Sequence, residues 1–270
     1  MEDAAQGFGG NINEKVACSF GEISATSFFP SKPLGCYGDG GAVFTDDDAI
    51  AERLRSIRAG GKSPLDKYDN REVGTNSRLD ALQAAILLPK FKAFAEYELK
   101  DVNKVARWYT ERLKDKVITP YIPEGYYSSW AQYTIRLKNK EERDATQAKL
   151  KEVGIPSMIY YPRGMHQLQV FRYMNLSEVL YTNAVEATKT VLSLPMHQYL
   201  DEETVDEICS VILKLKQCGL KRAAVGNNDG IQQYLFWIDL WKRKTCSGRS
   251  WLCWYAYCSR ICKAYQGNWL

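Results

Sequence analysis

Thr26-Ser27-Phe28-Phe29-Pro30-Ser31-Lys32-Pro33-Leu34-Gly35-Cys36-Tyr37-Gly38-Asp39-Gly40-Gly41-Ala42 is the stretch whose reading decides the fold. Small residues and glycines crowd around one lysine, Lys32, and Pro30 and Pro33 stiffen the backbone on either side of it. A lysine in a cramped, partly desolvated site gives up its proton more readily and becomes a nucleophile toward carbonyls. A loop lysine taken alone is more often simply solvated. The segments that surround this one therefore carry the argument.

Upstream stands Glu2-Asp3-Ala4-Ala5-Gln6-Gly7, an acid pair followed by small residues and an amide. An acid beside a cofactor ring nitrogen keeps it protonated, the partnership that pyridoxal phosphate requires. A helix-capping aspartate is the plainer reading of the same residues. Downstream stands Gly74-Thr75-Asn76-Ser77-Arg78-Leu79-Asp80. Here Asn76 or Ser77 is predicted to cap the following helix, whose N-terminus could face an anion.

The elements around these segments alternate between helix and strand. Thr45-Asp46-Asp47-Asp48 reads as a helix start, with Ile50, Leu54 and Ile57 as its stripe and Gly60-Gly61 as its stop. A long helical region follows from Ser77, and Pro89 is expected to kink or divide it. Trp130 to Leu137 alternates like a strand, and Glu141 to Val153 reads as a helix ended by Gly154. Ile155 to Tyr161 is predicted as a strand and Asp201 to Lys216 as a final helix.

Composition bounds the classes. The chain has 270 residues, 45% hydrophobic and 25% charged, which excludes a disordered, collagen-like or disulfide-stapled chain. The apolar run at Ala81 to Leu88 is too short to span a bilayer, and no signal peptide is read at the N-terminus. A cytoplasmic protein without membrane, nucleic-acid or metal partners is expected. The charge is uneven. Residues 219–270 hold eight Lys/Arg against two Asp/Glu, five of the seven Trp and four of the eight Cys. That shift marks residues 218–270 as a tail distinct from the body. Its cysteine spacing lacks a Cys-x-x-Cys pair and fits zinc poorly. No helical stripe organises its Trp and Lys/Arg into a membrane or nucleic-acid patch. A third reading is a frameshift. Read one base later, residues 249–263 are compatible with a Gly-x-Gly-x-x-Gly start resembling UDP-sugar dehydrogenases, as if a neighbouring gene were translated out of frame.

The three segments, in this order, resemble the DegT/DnrJ/StrS family of pyridoxal-phosphate-dependent sugar aminotransferases. The Ser-Phe-x-x-x-Lys core at Lys32 and the Gly-Asp-Gly-Gly that follows carry the resemblance. Trp130-Ala-Gln-Tyr-Thr, Tyr161-Pro162 and Ser193-Leu-Pro-Met-His197 extend it across the body. Within the family the likeness is to aminotransferases acting on UDP-2-acetamido-2-deoxy-3-oxo-glucuronate, in surface-polysaccharide and O-antigen synthesis. The resemblance implies an α/β chain of the aspartate-aminotransferase type, fold type I. Residues 1–97 would be the C-terminal part of the large cofactor-binding domain, and 98–217 a small α+β domain.

It also implies roles. Lys32 would join pyridoxal 5'-phosphate covalently, and Asp3 would pair with the pyridinium nitrogen. Gln6 would lie near the ring and its phenolic oxygen. Ser27 would bind the phosphate, and Asn76 would reach the phosphate of a neighbouring subunit in a homodimer. Tyr161 and His166 would approach the nucleotide sugar, whereas His197 reads as a packed histidine. L-glutamate would be the amino donor. Non-transaminating dehydratase relatives replace the lysine, and Lys32 is present. Family members carry a long segment before the Glu-Asp-Ala-Ala motif, so the chain is expected to be N-terminally truncated. It would lack half of its parallel sheet and half of the cofactor pocket, exposing apolar surface and a strand edge. The alternative function is therefore an inactive homologue that serves only as interaction partner of a full-length subunit.

Overall fold

A computed structural model describes residues 1–66 and 68–217. The readings of the tail, 218–270, lie outside the described residues. Strand β1 (Glu2–Asp3) runs parallel to β4 (Ser24–Ser27), with Asp3 opposite Ala25, and β5 (Gly41–Phe44) closes the sheet antiparallel to β4. The excursion between β1 and β4 forms β2 (Asn11–Ile12) and β3 (Lys15–Val16), and β2 also pairs with β6 (Tyr126–Tyr127). Strands β7 (Tyr133–Arg136) and β8 (Val191–Leu194) form an antiparallel pair. Val43 and Phe44 of β5 stand open to solvent.

Helix α1 (Asp48–Ile57) begins where the sequence predicts, with the Asp47 carboxylate accepting the Ile50 N–H at 2.9 Å. The next helix starts later than predicted. The Thr75 N–H donates to Ile57 and the Ser77 N–H to Arg58, at 2.7 and 3.0 Å, and this ties residues 75–77 to the end of α1. Gly61 and Gly74 abut so closely that a Cβ on either would collide with the other strand of the loop. Neither Asn76 nor Ser77 can therefore cap. Asp80 does, accepting from Leu82 at 2.7 Å and Gln83 at 3.3 Å at the start of α2 (Ala81–Ala93).

Pro89 sits inside α2 without dividing it. The irregularity comes five residues past Pro89, as a π-helical turn (Phe94–Glu98) leading into α3 (Leu99–Leu113). That wider turn buries both Phe94 and Glu98. Helix α3 then presents Val102, Val105, Ala106, Tyr109 and Leu113 along one buried stripe. Helix α4 (Lys140–Glu152) is capped by Asn139, and Gly154 follows it at φ +78°. After α5 (Thr182–Thr190) and β8, helix α6 (Glu202–Gln217) packs on α3. Arg112 of α3 clamps the pair through Glu202, at 2.8 Å, and Asp206.

Two strand predictions are corrected. Ile155 to Tyr161 is not a strand, because only Met158 bridges β8, exchanging bonds of 3.0 and 2.7 Å with Ser193. Pro156 has no N–H to give a ladder, so pairing does not propagate. The strand predicted from Trp130 begins only at Tyr133, since Trp130 lies in the left-handed region at φ +49°. A bulky side chain there costs about 1–2 kcal/mol.

The apolar interior forms two clusters. One joins Tyr109 and Leu113 with Tyr133, Ile135, Leu150, Leu192, Val205, Ile208 and Ile212. The other joins Phe28, Leu34, Cys36, Leu87 and Phe94, with Phe8 and Leu79 against it. The second cluster includes Leu34 and Cys36 of the Lys32 loop, so burial of its flanks fixes that loop.

Candidate active site

The carboxyl ends of the parallel strands β1 and β4 lie side by side. In open α/β sheets that is where ligands bind. Asp3 ends β1 and Ser27 ends β4, and the Ala4 N–H donates to the Ala25 carbonyl at 2.8 Å. The Asp3 carboxylate accepts the Ala5 N–H at 3.0 Å, which turns the chain sharply toward Gln6. Gln6 has an exposed side chain, and its carbonyl accepts the Ser129 hydroxyl at 3.2 Å. The Ser27 hydroxyl accepts the Phe29 N–H at 3.2 Å.

Lys32 follows in the closed loop between β4 and β5. Its backbone N–H donates to the Phe29 carbonyl at 2.9 Å. Its side chain is half-buried, and among the described residues no hydrogen bond or ion pair holds its ammonium. The loop is pinched at its base. The Cys36 N–H donates to the Phe28 carbonyl at 2.7 Å, and the buried thiol lies 3.0 Å from that carbonyl and 3.1 Å from the Gly38 carbonyl. A Cβ on Gly35 would stand 2.7 Å from the Pro30 carbonyl oxygen, and one on Gly41 equally close to that of Thr26. The glycines of the quoted stretch thus let backbone approach backbone.

Residues of α2 brace the loop from outside. The Gln83 side chain accepts the Tyr37 N–H at 2.9 Å, and the Lys90 ammonium lies 5.6 Å from the Tyr37 ring centre. Burial pulls the Lys90 ammonium below the usual lysine range, and Glu98 and Cys36 oppose that shift. The buried Glu98 carboxylate accepts the Tyr199 hydroxyl. Burial raises the Tyr199 phenol, and Glu98 raises it further.

Glu2, beside Asp3, has a structural task. Its carboxylate accepts from Cys18 at 2.7 Å, Phe20 at 2.9 Å, Gly21 at 3.4 Å and the Ser24 hydroxyl at 2.9 Å. Burial pushes its carboxyl up, and the Cys18, Phe20, Ser24 and Gly21 donors outweigh burial to leave it below the usual range.

Asp3 and Ser27 end the adjacent parallel strands β1 and β4, and Gln6 and Lys32 lie in the segments that follow them. Asn76 stands apart, exposed, in a bridge with Ala59 and accepting from Arg78 at 3.3 Å. Tyr161 is 64% exposed, its ring edge-on to Tyr160. His166 stacks on Tyr181 with centroids 4.6 Å apart, and its Nε2 is buried without a partner among the described residues. Among the described residues no hydrogen bond, ion pair or ring contact joins Tyr161 or His166 to the Lys32 loop. His197 accepts the Tyr199 N–H at 3.2 Å. Sequence reasoning passed over Cys36, Gln83, Asn103 and Ser129. Cys36 was legible inside the quoted stretch, but the others are close to the site only through tertiary structure. Among the described residues no group of three His, Cys, Asp or Glu could hold a metal. No described helix is long and apolar enough to cross a membrane.

Comparison with known proteins gives the geometry a context. The model of the DegT/DnrJ/EryC1/StrS aminotransferase family matches residues 1–213. The chain is 43% identical over 213 residues to the UDP-2-acetamido-2-deoxy-3-oxo-D-glucuronate aminotransferase of Pseudomonas aeruginosa, covering 78% of this chain and 57% of that protein. It is 39% identical over 213 residues to the UDP-N-acetyl-3-dehydro-alpha-D-glucosamine 3-aminotransferase of Acidithiobacillus ferrooxidans, covering 78% and 56%. A solved DegT DnrJ EryC1 StrS aminotransferase from Brucella abortus superposes with a TM-score of 0.72 at 43% identity, covering 80% of this chain and 56% of that one. The chain spans little more than half the length of these relatives.

Proposed function

Because this chain belongs to the DegT/DnrJ/EryC1/StrS aminotransferase family, we propose that it descends to a pyridoxal-phosphate-dependent transamination of a keto group on a nucleotide-linked sugar. Its fold is that of the fold type I transferases. Aminotransferases of the family depend on pyridoxal phosphate. The substrate we assign is UDP-2-acetamido-2-deoxy-3-oxo-glucuronate, with L-glutamate as donor, in surface-polysaccharide synthesis in the cytoplasm. What supports the reading is that Asp3 ends β1, Ser27 ends the parallel β4 beside it, and Lys32 follows in the loop that leaves β4. In domain terms, residues 1–97 supply this part of the large domain and 98–217 the small one.

The residues present fit the cofactor. Lys32 is a half-buried residue whose amine has no competing partner among the described residues. The glycines at 35, 40 and 41 leave the loop without side chains to obstruct it. When bound, pyridoxal phosphate supplies an electron sink that acidifies the α-carbon of the amino donor. The Asp3 carboxylate keeps the ring nitrogen protonated. The Lys32 amine carries the proton from the donor α-carbon and later returns one to the sugar carbon. The Ser27 hydroxyl donates to the phosphate while it accepts from Phe29. Gln6 holds the phenolic side of the ring, and Asn76 serves the phosphate of a partner subunit in a homodimer. Tyr161 and His166 border the nucleotide-sugar side. Donor and sugar use the same site in turn, so the kinetics are ping-pong.

Borohydride trapping tests the reading. The folded 270-residue chain, mixed with pyridoxal phosphate and reduced, is expected to carry one cofactor on Lys32, located by peptide mass spectrometry. Lys32→Ala is expected to abolish that adduct. A folded chain that takes no adduct on Lys32 refutes the catalytic reading. It would support the alternative, a chain acting only as interaction partner of a full-length subunit.

A further inference from the structure

Asn103 on α3 ties down the Ser128-Ser129-Trp130 corner, and that corner in turn meets the turn that follows Asp3. Asn103 on α3 is fully engaged: its amide donates to the Leu99 carbonyl at 2.8 Å and the Ser128 carbonyl at 2.9 Å. Its carbonyl oxygen accepts the Trp130 indole N–H at 2.8 Å. Those bonds hold the Ser128-Ser129-Trp130 corner, where Trp130 is kept in the left-handed region that a bulky side chain avoids. The Trp130 N–H also donates to the Ser128 hydroxyl at 3.1 Å, and the Trp130 ring lies 5.5 Å from that of Tyr133. A strained corner persists only when its surroundings over-determine it, and here three side-chain bonds do so.

The corner aims Ser129, 5% exposed, at the Gln6 carbonyl 3.2 Å away. It also leaves no space beside Gly10, where a Cβ would stand 3.0 Å from the Tyr127 carbonyl. The turn is also held at Ala4 by the Thr26 hydroxyl at 3.1 Å, at Phe8 by the Phe28, Phe44 and Phe94 rings and at Gly10 by the Ala17 N–H at 2.8 Å, whereas Gln6 between them is met by Ser129. The Gly7 and Phe8 N–H groups donate to the Ala4 carbonyl at 3.1 Å, and the Gly10 N–H donates to the Gly7 carbonyl at 2.8 Å. We propose that Asn103 and Ser129 are positioning residues that hold the turn of residues 4–10, and with it Gln6, against the strand ends. The inference rests on the reading of Gln6 as a cofactor neighbour. It makes α3 and the Trp130 corner part of the cofactor site's support, although neither touches the reacting atoms.

Hydrogen exchange on the 270-residue chain tests this without cofactor. Ser129→Ala removes only the hydroxyl that meets Gln6, Asn103→Ala releases the corner, and Ser129→Thr keeps the hydroxyl. Peptides covering residues 4–10 are expected to exchange about three- to tenfold faster in the first two variants, as expected for one lost hydrogen bond. Ser129→Thr is expected to restore the slow rate, and peptides from α4 should be unchanged in all three. Unchanged exchange at 4–10 in both alanine variants overturns the proposal. With pyridoxal phosphate added, the pH midpoint of the bound cofactor's visible absorption should move in Ser129→Ala and return in Ser129→Thr. Faster exchange with an unmoved midpoint assigns the corner a purely structural task and also overturns it. If the unaltered chain binds no cofactor, the reading of Lys32 and Gln6 fails separately, while the exchange data still decide whether the corner holds the turn.

Discussion

Cys209 gives the fold a built-in alkaline limit. Its thiol is 1% exposed on the face of α6 that packs on α3. Burial pushes it from an ordinary 9.0 up to about 12, with Arg112 pulling it down and Asp206 pushing it up. A thiol is neutral when protonated, so a raised folded value means that the folded state holds the proton more tightly than the unfolded chain. The stability linked to this proton is fully present below pH 9. It is lost as pH rises from there toward 12. At pH 10.5 the loss is about 2 kcal/mol, from roughly 1.5 pH units at 1.36 kcal/mol each. Cys209→Ala removes the titration. The variant should start less stable at pH 8, because it loses buried volume. Its stability should then fall less steeply than that of the parent, and the gap between them should narrow by about 2 kcal/mol between pH 8 and 10.5. Urea melts at half-unit pH steps measure both curves. Parallel curves would refute the reasoning, because a thiol that titrates alike in both states contributes no slope.

Two further outcomes follow from caps and carboxylates. Asp80→Ala removes the acceptor for Leu82 and Gln83 at the start of α2 and is expected to cost about 0.5–2 kcal/mol, read from the urea midpoint. Because Gln83 braces Tyr37, the same variant should also weaken uptake of pyridoxal phosphate at Lys32. Glu2 is depressed in the folded state, so its contribution is present above its ordinary value of 4.5 and fades as pH falls through the lower folded value. Glu2→Gln should lower the melting temperature at pH 7, and the difference from the parent should shrink toward pH 3; a difference constant with pH would contradict this.

The helices were legible because their signals are local. Asp47 followed by Ile50, Leu54 and Ile57 announces α1 by period and cap, and Gly154 announces the end of α4. The start of α2 was not, because the bonds that tie Thr75 and Ser77 to α1 pair residues about eighteen positions apart. Pro89 predicts a kink or a division, yet α2 continues undivided past it and the irregular turn falls at Phe94–Glu98. Ile155 to Tyr161 has the composition of a strand, but strand formation depends on a partner, and only Met158 finds one.

What the sequence determined by itself is chemical identity at short range. Lys32 between two prolines, the glycines that follow it, and Asp3 beside Ala4 and Gln6 carry the family resemblance and are the starting point of the proposed cofactor chemistry, because residue types at short spacing are written in the chain itself. What only the tertiary structure decided is which distant groups hold that chemistry in place. Ser129 reaches Gln6 across 123 positions, Gln83 reaches Tyr37 across 46, and Asn103 ties α3 to the Trp130 corner. A hydrogen bond reads distance in space rather than along the chain, so such supports become visible only when the cores that bring them together have formed.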